Sequence, residues 1–363
     1  MSDMSIEQLL RLGRQQEADS LWRSQARRNP VFMHPNHDAS PRVLHLVASD
    51  RSTSYLDGDC KLAKAYANGH WEAGHLLSDQ GLGTITWRLL ADTDPRKVVD
   101  FIHSTNREII VNCIADPDLY AGTLAIAEQV VREAGLPVIN APQLVRQHTR
   151  DQVARRLQGI AGLRAPKTIR VVAQKDLRAP FDFPFIARAC GTQTGETLEL
   201  INHAKEFDAF LTAQAGRDVY LTCFVDFRSE DGLYRKYRVR VVGNDITPNH
   251  LLIDSQWKIH GLAARKFMLD KPLLIAEEAA YLSAPLKHLD VLRRIHACID
   301  VDFYGVDYGV LPTGELLFFE GNAVMRSINP EWRQSFPQTW VITQQLVQRF
   351  TTHLKFVAQH RLP

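Results

Sequence analysis

The sequence predicts an α/β layer followed by an α+β unit, with a short helical segment in front, and three patterns predict it. Between Arg42 and Pro142, apolar runs of strand length alternate with stretches of helical spacing. Beyond Pro142 the strand signals follow one another more closely, in the manner of antiparallel sheets, with helical stretches between them. Ahead of Arg42, residues 5–29 place Ile6, Leu9, Leu10, Ala18, Leu21 and Trp22 at apolar helical spacings, and Pro30 stops the pattern.

The first segment spans 1–41. Its Gly13, Ala18, Trp22 and Pro30 resemble the second half of a tetratricopeptide repeat. Half a repeat cannot bury its own face and no second copy follows, so a helical hairpin packed on the body, or a dimer contact, is expected. Asn29 to Pro41 holds three prolines and reads as a linker. The α/β layer, 42–142, has strand runs Val43–Ala48, Ile109–Ile114 and Leu136–Ile139, with helices expected at about 59–68, 95–104 and 121–134. No G-x-G-x-x-G follows its first strand, so a dinucleotide site is not indicated, and Gly81-Leu82-Gly83 reads as a turn. The remainder, 143–363, offers strands Lys167–Val172, Pro184–Ala189, Val219–Phe227, Tyr234–Val242, Leu251–Asp254, Phe303–Val310 and Leu316–Glu320. Its helices are expected at about 149–160, 198–213, 275–298 and 338–357.

Composition removes several classes of function. Of 363 residues, 45% are hydrophobic and 23% charged, an ordinary globular balance, and a formal charge of +2 calls for neither nucleic acid nor an anionic membrane as partner. No apolar run approaches the roughly 18 residues of a membrane span. Met1-Ser2-Asp3-Met4 lacks the basic-then-apolar layout of a signal peptide, and a cytoplasmic protein is expected. Cys60, Cys113, Cys190, Cys223 and Cys298 are scattered, odd in number and without a C-x-x-C pair, so they read as reduced thiols. The 14 histidines include no H-E-x-x-H, His34 and His37 sit in a loop-like stretch, and no Gly-x-Ser-x-Gly elbow occurs.

The sharpest chemical feature runs from Gly305 to Asn322. Pro312-Thr313-Gly314 joins two apolar strands, and in such a hairpin Asp307 can face Glu320 and Asn322, because alternate residues share a face. Two carboxylates and an amide oxygen form the hard oxygen site that Mg²⁺ prefers, with phosphate oxygens completing its octahedron. The ordinary alternative is a pair of solvated acids at a sheet edge. Phe318 and Phe319 weigh against it, since a charge in an apolar setting must be paired. Tyr234–Val242 alternates strictly and sets Lys236, Arg238 and Arg240 on one face. Three cations in a row repel one another unless an anion sits there; the alternative is an exposed basic edge strand.

Asp307, followed thirteen positions later by Glu320 and then by Asn322 across a glycine-turn hairpin, resembles the metal-binding signature of the ATP-grasp superfamily. Glutathione synthetase, D-alanine–D-alanine ligase and the ribosomal-protein glutamate ligases share that signature. The similarity extends over residues 137–325 and implies an ATP-grasp fold: a small α/β pre-domain, then two α+β subdomains gripping ATP. Leu136 to Pro142 and Thr149-Arg150-Asp151-Gln152 resemble the strand and helix start that enter the grasp, with Gln152 where the family has a phosphate-binding Lys. Phe183 to Arg188 resembles the strand carrying a second such Lys, here Arg188, and an arginine engages phosphate bidentately. Gly191, Thr192, Thr194 and Gly195 take the place of the flap over the triphosphate. Cys223, Phe224, Val225 and Asp226 resemble the hinge that reads adenine, Asp226 holding the ribose. Arg238 matches the arginine near the transferred phosphate, with Lys236 on the same face, and Lys258 and His260, after the next strand, are candidates to line that cleft. Where many amino-acid ligases follow the metal Asn with Pro-Gly, this chain departs and runs Asn322-Ala323-Val324-Met325-Arg326; Arg326 is a candidate for binding a substrate carboxylate, the alternative being a contact at a helix start.

The resemblance implies an ADP-forming ligase that uses ATP and Mg²⁺ to activate a carboxylate as an acyl phosphate for attack by an amine. Asp307, Glu320 and Asn322 would be the metal ligands and Arg238, Arg188 and Arg326 the catalytic cations. Its partners would be small or peptide carboxylates and amines, with a homodimer open. A kinase on the same scaffold and a non-catalytic ATP-binding protein are the alternatives.

Overall fold

Three sheets organise the chain. The computed structural model describes residues 4–34, 40–52, 69–71, 82–192, 195–325 and 332–360, for 32–34 the backbone only. The helix expected at 59–68, together with His37, Cys60, Gly81, Gln193, Thr194 and Arg326, lies outside the described residues.

The first sheet contains β1 (Val31–His34), β2 (Arg42–Ala48), β3 (Gly83–Leu89), β4 (Ile109–Asn112) and β5 (Val138–Ile139), in the order β1-β3-β2-β4-β5. β2, β3, β4 and β5 run parallel, and β2 and β4 are buried almost throughout. Such near-continuous apolar runs are what parallel strands covered on both faces require. Two expectations are corrected here. The proline-bearing stretch 29–41 contributes an edge strand, β1, antiparallel to β3, and Gly83, expected in a turn, opens β3, which the sequence pattern did not reveal. Helix Pro95–Ser104 starts where expected, under an Asp94 side chain that accepts from the Arg96 amide. Helix Pro117–Ala134 begins four residues earlier than its apolar spacing, because the Asp116 cap and Pro117 make an N-terminus outside the amphipathic part.

The second sheet, order β7-β10-β8-β9, is antiparallel: β7 (Thr168–Val172), β8 (Phe185–Ala189), β9 (Glu199–Ile201) and β10 (Asp218–Cys223). It has its own core, in which Phe185, Val219 and Leu221 meet Phe207 and Phe210 of helix Ala204–Ala213. That helix is shorter than expected, since Glu199–Ile201 pairs as a strand.

The third sheet, order β12-β11-β13-β14-β6, joins β11 (Tyr234–Val242), β12 (Asp245–Asp254), β13 (Phe303–Val310) and β14 (Leu316–Asn322) antiparallel, with β6 (Leu163–Arg164) parallel to β14. The helix expected at 275–298 is two, Pro272–Ser283 and Leu289–Ile299, because Pro285 disfavours helical geometry at the residue before it. Helix Gly261–Met268, unforeseen, and helix Pro337–His360 complete this unit.

One core runs between the first and third sheets. Trp71, Phe303 and Phe350 pack ring to ring at 4.8, 5.3 and 4.9 Å between centroids. The N-terminal helices Ile6–Arg11 and Gln15–Arg28 close on Ile6, Leu9, Ala18 and Trp22, and Arg88 of β3 lies over the Trp22 ring at 4.5 Å. They form a hairpin packed on the body. Among the described residues no helix is long and apolar enough to cross a membrane, and Cys113, Cys190, Cys223 and Cys298 are free thiols.

Candidate active site

The site is built on three neighbouring strands. Pairing of β11 with β13 sets Arg238 opposite Asp307, and pairing of β13 with β14 sets Asp307 opposite Glu320. Directly opposed residues share a face, so these three side chains form a row across the sheet. The register shifts between Asp307 and Tyr308, where Tyr308 still faces Phe318 and Phe319 is the extra residue. Without this bulge Phe319, not Glu320, would stand opposite Asp307. Phe319 is accommodated against Phe227 at 4.8 Å and over Gly309, where a Cβ would come within 3.0 Å of its ring. Asn322, two residues on from Glu320, faces Gly305.

Asp307 is 1% exposed. Arg238 grips it in a fork, Nε to Oδ1 at 2.5 Å and Nη2 to Oδ2 at 2.7 Å, and the Lys236 ammonium lies 3.4 Å from Oδ2. Burial pushes the Asp307 carboxyl up, but Arg238 and Lys236 outweigh it and hold the group below its ordinary range. Tyr281 supports the arginine from behind, its hydroxyl donating to the Arg238 carbonyl at 2.8 Å. β11 is an interior strand, so the exposed-edge alternative falls away, and the anion that Lys236 and Arg238 face is Asp307. Arg240 turns aside, buried over Phe303 and donating to the Met325 carbonyl.

Glu320 is half-buried and ion-paired with Arg150. Burial pushes its carboxyl up and Asp307 adds to that, yet Arg150, Arg188 and Lys236 together keep it below the usual carboxylate value. The Asn322 amide donates to Glu320 Oε2 at 3.2 Å, and its own Oδ1 accepts from the Val324 backbone at 3.0 Å. Arg188 is buried on β8, donates Nη2 to the Thr192 carbonyl, and has its Nε buried without a hydrogen-bond partner. Burial, reinforced by Arg150, brings the Arg188 guanidinium down to about 10.

Arg150 is the residue that sequence reasoning missed. It opens helix Arg150–Arg156 behind Thr149, and the signal was in plain view as a cation at a helix start within the Thr149 to Gln152 motif. Gln152, two residues on, is turned about 200° around the helix from Arg150 and is half-exposed.

Gly191 and Gly195 each meet another element. Gly191 has φ +67°, and a Cβ there would lie 2.6 Å from Leu119; Gly195, φ +78°, would meet the Lys258 side chain at 3.2 Å. The Thr192 hydroxyl donates to the Ala189 carbonyl at 2.7 Å, and Lys258 donates to the Leu198 carbonyl at 2.8 Å. Cys223 ends β10, Phe224 sets its edge against Trp257 at 5.6 Å, and Val225 packs on the cluster that holds Phe227. Asp226 is exposed and caps the Arg228 amide at 3.1 Å.

The donor set suits Mg²⁺. Among the described residues no three His, Cys, Asp or Glu side chains gather; the oxygen groups placed together here are the Asp307 and Glu320 carboxylates, with the Asn322 side-chain amide beside Glu320. Mg²⁺ is commonly held by one or two carboxylates plus substrate phosphates, and the surrounding cations fit the phosphates.

No protein-family model and no curated protein matches the sequence. Solved structures do match the fold. D-Alanine–D-alanine ligase from Bacillus anthracis, complexed with ATP, superposes with a TM-score of 0.54 at 8% identity, over 88% of this chain and 98% of that one. A RimK-domain ATP-grasp protein from Sphaerobacter thermophilus gives 0.51 at 12% identity, over 86% and 99%. Likeness at such identities is one of backbone architecture, and by that architecture the chain has the ATP-grasp fold.

Proposed function

We propose that the protein is an ATP-dependent carboxylate–amine ligase, forming an amide through an acyl phosphate and releasing ADP and phosphate. The observation that carries the reading is the gathering of Asp307, Glu320 and Asn322 on one sheet face among Arg150, Arg188, Lys236 and Arg238. The ATP-grasp fold and its likeness to a ligase solved with ATP support it. Asp307, Glu320 and Asn322 would hold Mg²⁺, which when bound neutralises charge on the β- and γ-phosphates. Arg238 and Arg188 stabilise the phosphoryl group as it passes to the carboxylate, by positioning and charge rather than by covalent chemistry. No side chain is needed as nucleophile. Gly191, Thr192, Thr194 and Gly195 cover the triphosphate and keep water from the acyl phosphate, with Lys258 lining the same cleft. Backbone groups of Cys223 to Val225 read adenine and Asp226 the ribose, while Arg326 takes a carboxylate of an amino-acid or peptide substrate.

Hydroxylamine tests the chemistry. An acyl phosphate is a mixed anhydride, so hydroxylamine added with ATP, Mg²⁺ and pooled amino acids or peptides is expected to yield a hydroxamate. Trapping should vanish in Asp307→Asn. A stable phosphoester with stoichiometric ADP, and no hydroxamate, would move the protein to the kinases.

A further inference from the structure

Each carboxylate of the proposed metal site is already held by an arginine. Arg238 occupies both oxygens of Asp307, and Arg150 and the Asn322 amide share Oε2 of Glu320. Two carboxylates stand among four cations, Arg150, Arg188, Lys236 and Arg238, a net charge of +2 from these six side chains. A divalent cation arriving alone meets repulsion, and competes with a guanidinium for the charge of each carboxylate it ligates. An anion is received differently. The buried Arg188 Nε has no acceptor, and the Arg150 guanidinium bonds to Glu320.

We infer that Arg150 is a nucleotide-phosphate ligand that Glu320 holds in reserve, so that the site takes metal and nucleotide together and not metal first. The arrival of a triphosphate gives Arg150 a second anion of higher charge. Arg150 moves to a phosphate oxygen, Glu320 is left with lone pairs for the metal, and Arg188 Nε finds its acceptor. Arg150 thus supplies the cation that Gln152 lacks, from the same helix start but the opposite side. The inference rests on the Mg·ATP reading of the site.

Binding measurements without turnover test it. Mn²⁺ serves as the metal probe, followed by its electron spin resonance, and the nonhydrolysable ATP analogue with an imido bridge as the nucleotide. The protein is expected to bind Mn²⁺ weakly alone and at least tenfold more tightly with nucleotide. Arg150→Gln should shift the two affinities in opposite directions, Mn²⁺ alone tightening about tenfold and nucleotide weakening about tenfold or more, the scale of one charge-assisted hydrogen bond. Arg150→Lys should restore most of the nucleotide affinity. As a second variant, Glu320→Gln should tighten metal-free nucleotide binding in EDTA, because Arg150 is released. Equal Mn²⁺ affinity with and without nucleotide, or both affinities falling together in Arg150→Gln, would overturn the exchange while leaving the ATP site standing. Absence of any nucleotide binding by the unaltered protein would overturn both.

Discussion

Asp307 and His148 show how burial is handled at single residues. A carboxylate with 1% exposure persists as an anion because Arg238 meets it bidentately, so removing the arginine strands a buried charge. His148 takes the other course. It is buried, with Nε2 2.9 Å from the Ile299 carbonyl, and burial, aided by Arg156, brings its imidazole down to about 4. The unfolded chain protonates this histidine near pH 6.5 and the folded one only near 4, so its contribution is complete above 6.5 and is lost as pH falls between those values. Between pH 7 and 5 the loss is expected to be about 2 kcal/mol. Urea denaturation at both pH values should show His148→Gln with a correspondingly smaller pH slope; equal slopes would refute the assignment. The roles proposed for Asp307, Glu320 and Asn322 were legible because an acid inside an apolar hairpin is a costly anomaly. Arg150 was not, since a cation at a helix start is ordinary until its partner, 170 residues away, is seen.

Secondary-structure elements were read best where one pattern was uninterrupted. Tyr234–Val242 and Phe303–Val310 stand at their expected bounds, since strict alternation and a bounded apolar run each mark a strand. β1 and β3 were missed because prolines and glycines conceal short strands whose pairing is entirely non-local. The bulge at Phe319 was beyond sequence reasoning too, since alternation alone cannot say where a register slips. Gly191 yields a prediction at this scale. Gly191→Ala must hold φ +67° with a methyl group 2.6 Å from Leu119, and it should lose about 1–3 kcal/mol of stability. A melting temperature equal to that of the unaltered protein would show that the turn adapts.

At the scale of the whole molecule, Asn140 joins the first and third sheets. It is fully buried, with φ +58°, its Nδ2 donates to the Phe303 carbonyl at 2.8 Å, and its Oδ1 accepts from the Phe303 amide at 2.7 Å. Its own amide donates to Asp302 at 3.0 Å. Asn140→Ala leaves two backbone groups at the head of β13 without these partners, and about 2–4 kcal/mol of stability should be lost. Asn140→Gly should recover only the part due to φ, and equal stability of all three proteins in urea would exclude the clamp. The sequence by itself determined the α/β and α+β succession, most strand positions, and the two acids and the amide along one hairpin that are proposed to hold Mg²⁺. Those properties reside in local periodicity and in the chemistry of single side chains. Tertiary structure alone decided that Glu320 opposes Asp307, that Arg150 reaches Glu320, and that Trp71, Phe303 and Phe350 share one core. Each is a pairing between distant segments, settled by register and packing, which no local pattern encodes.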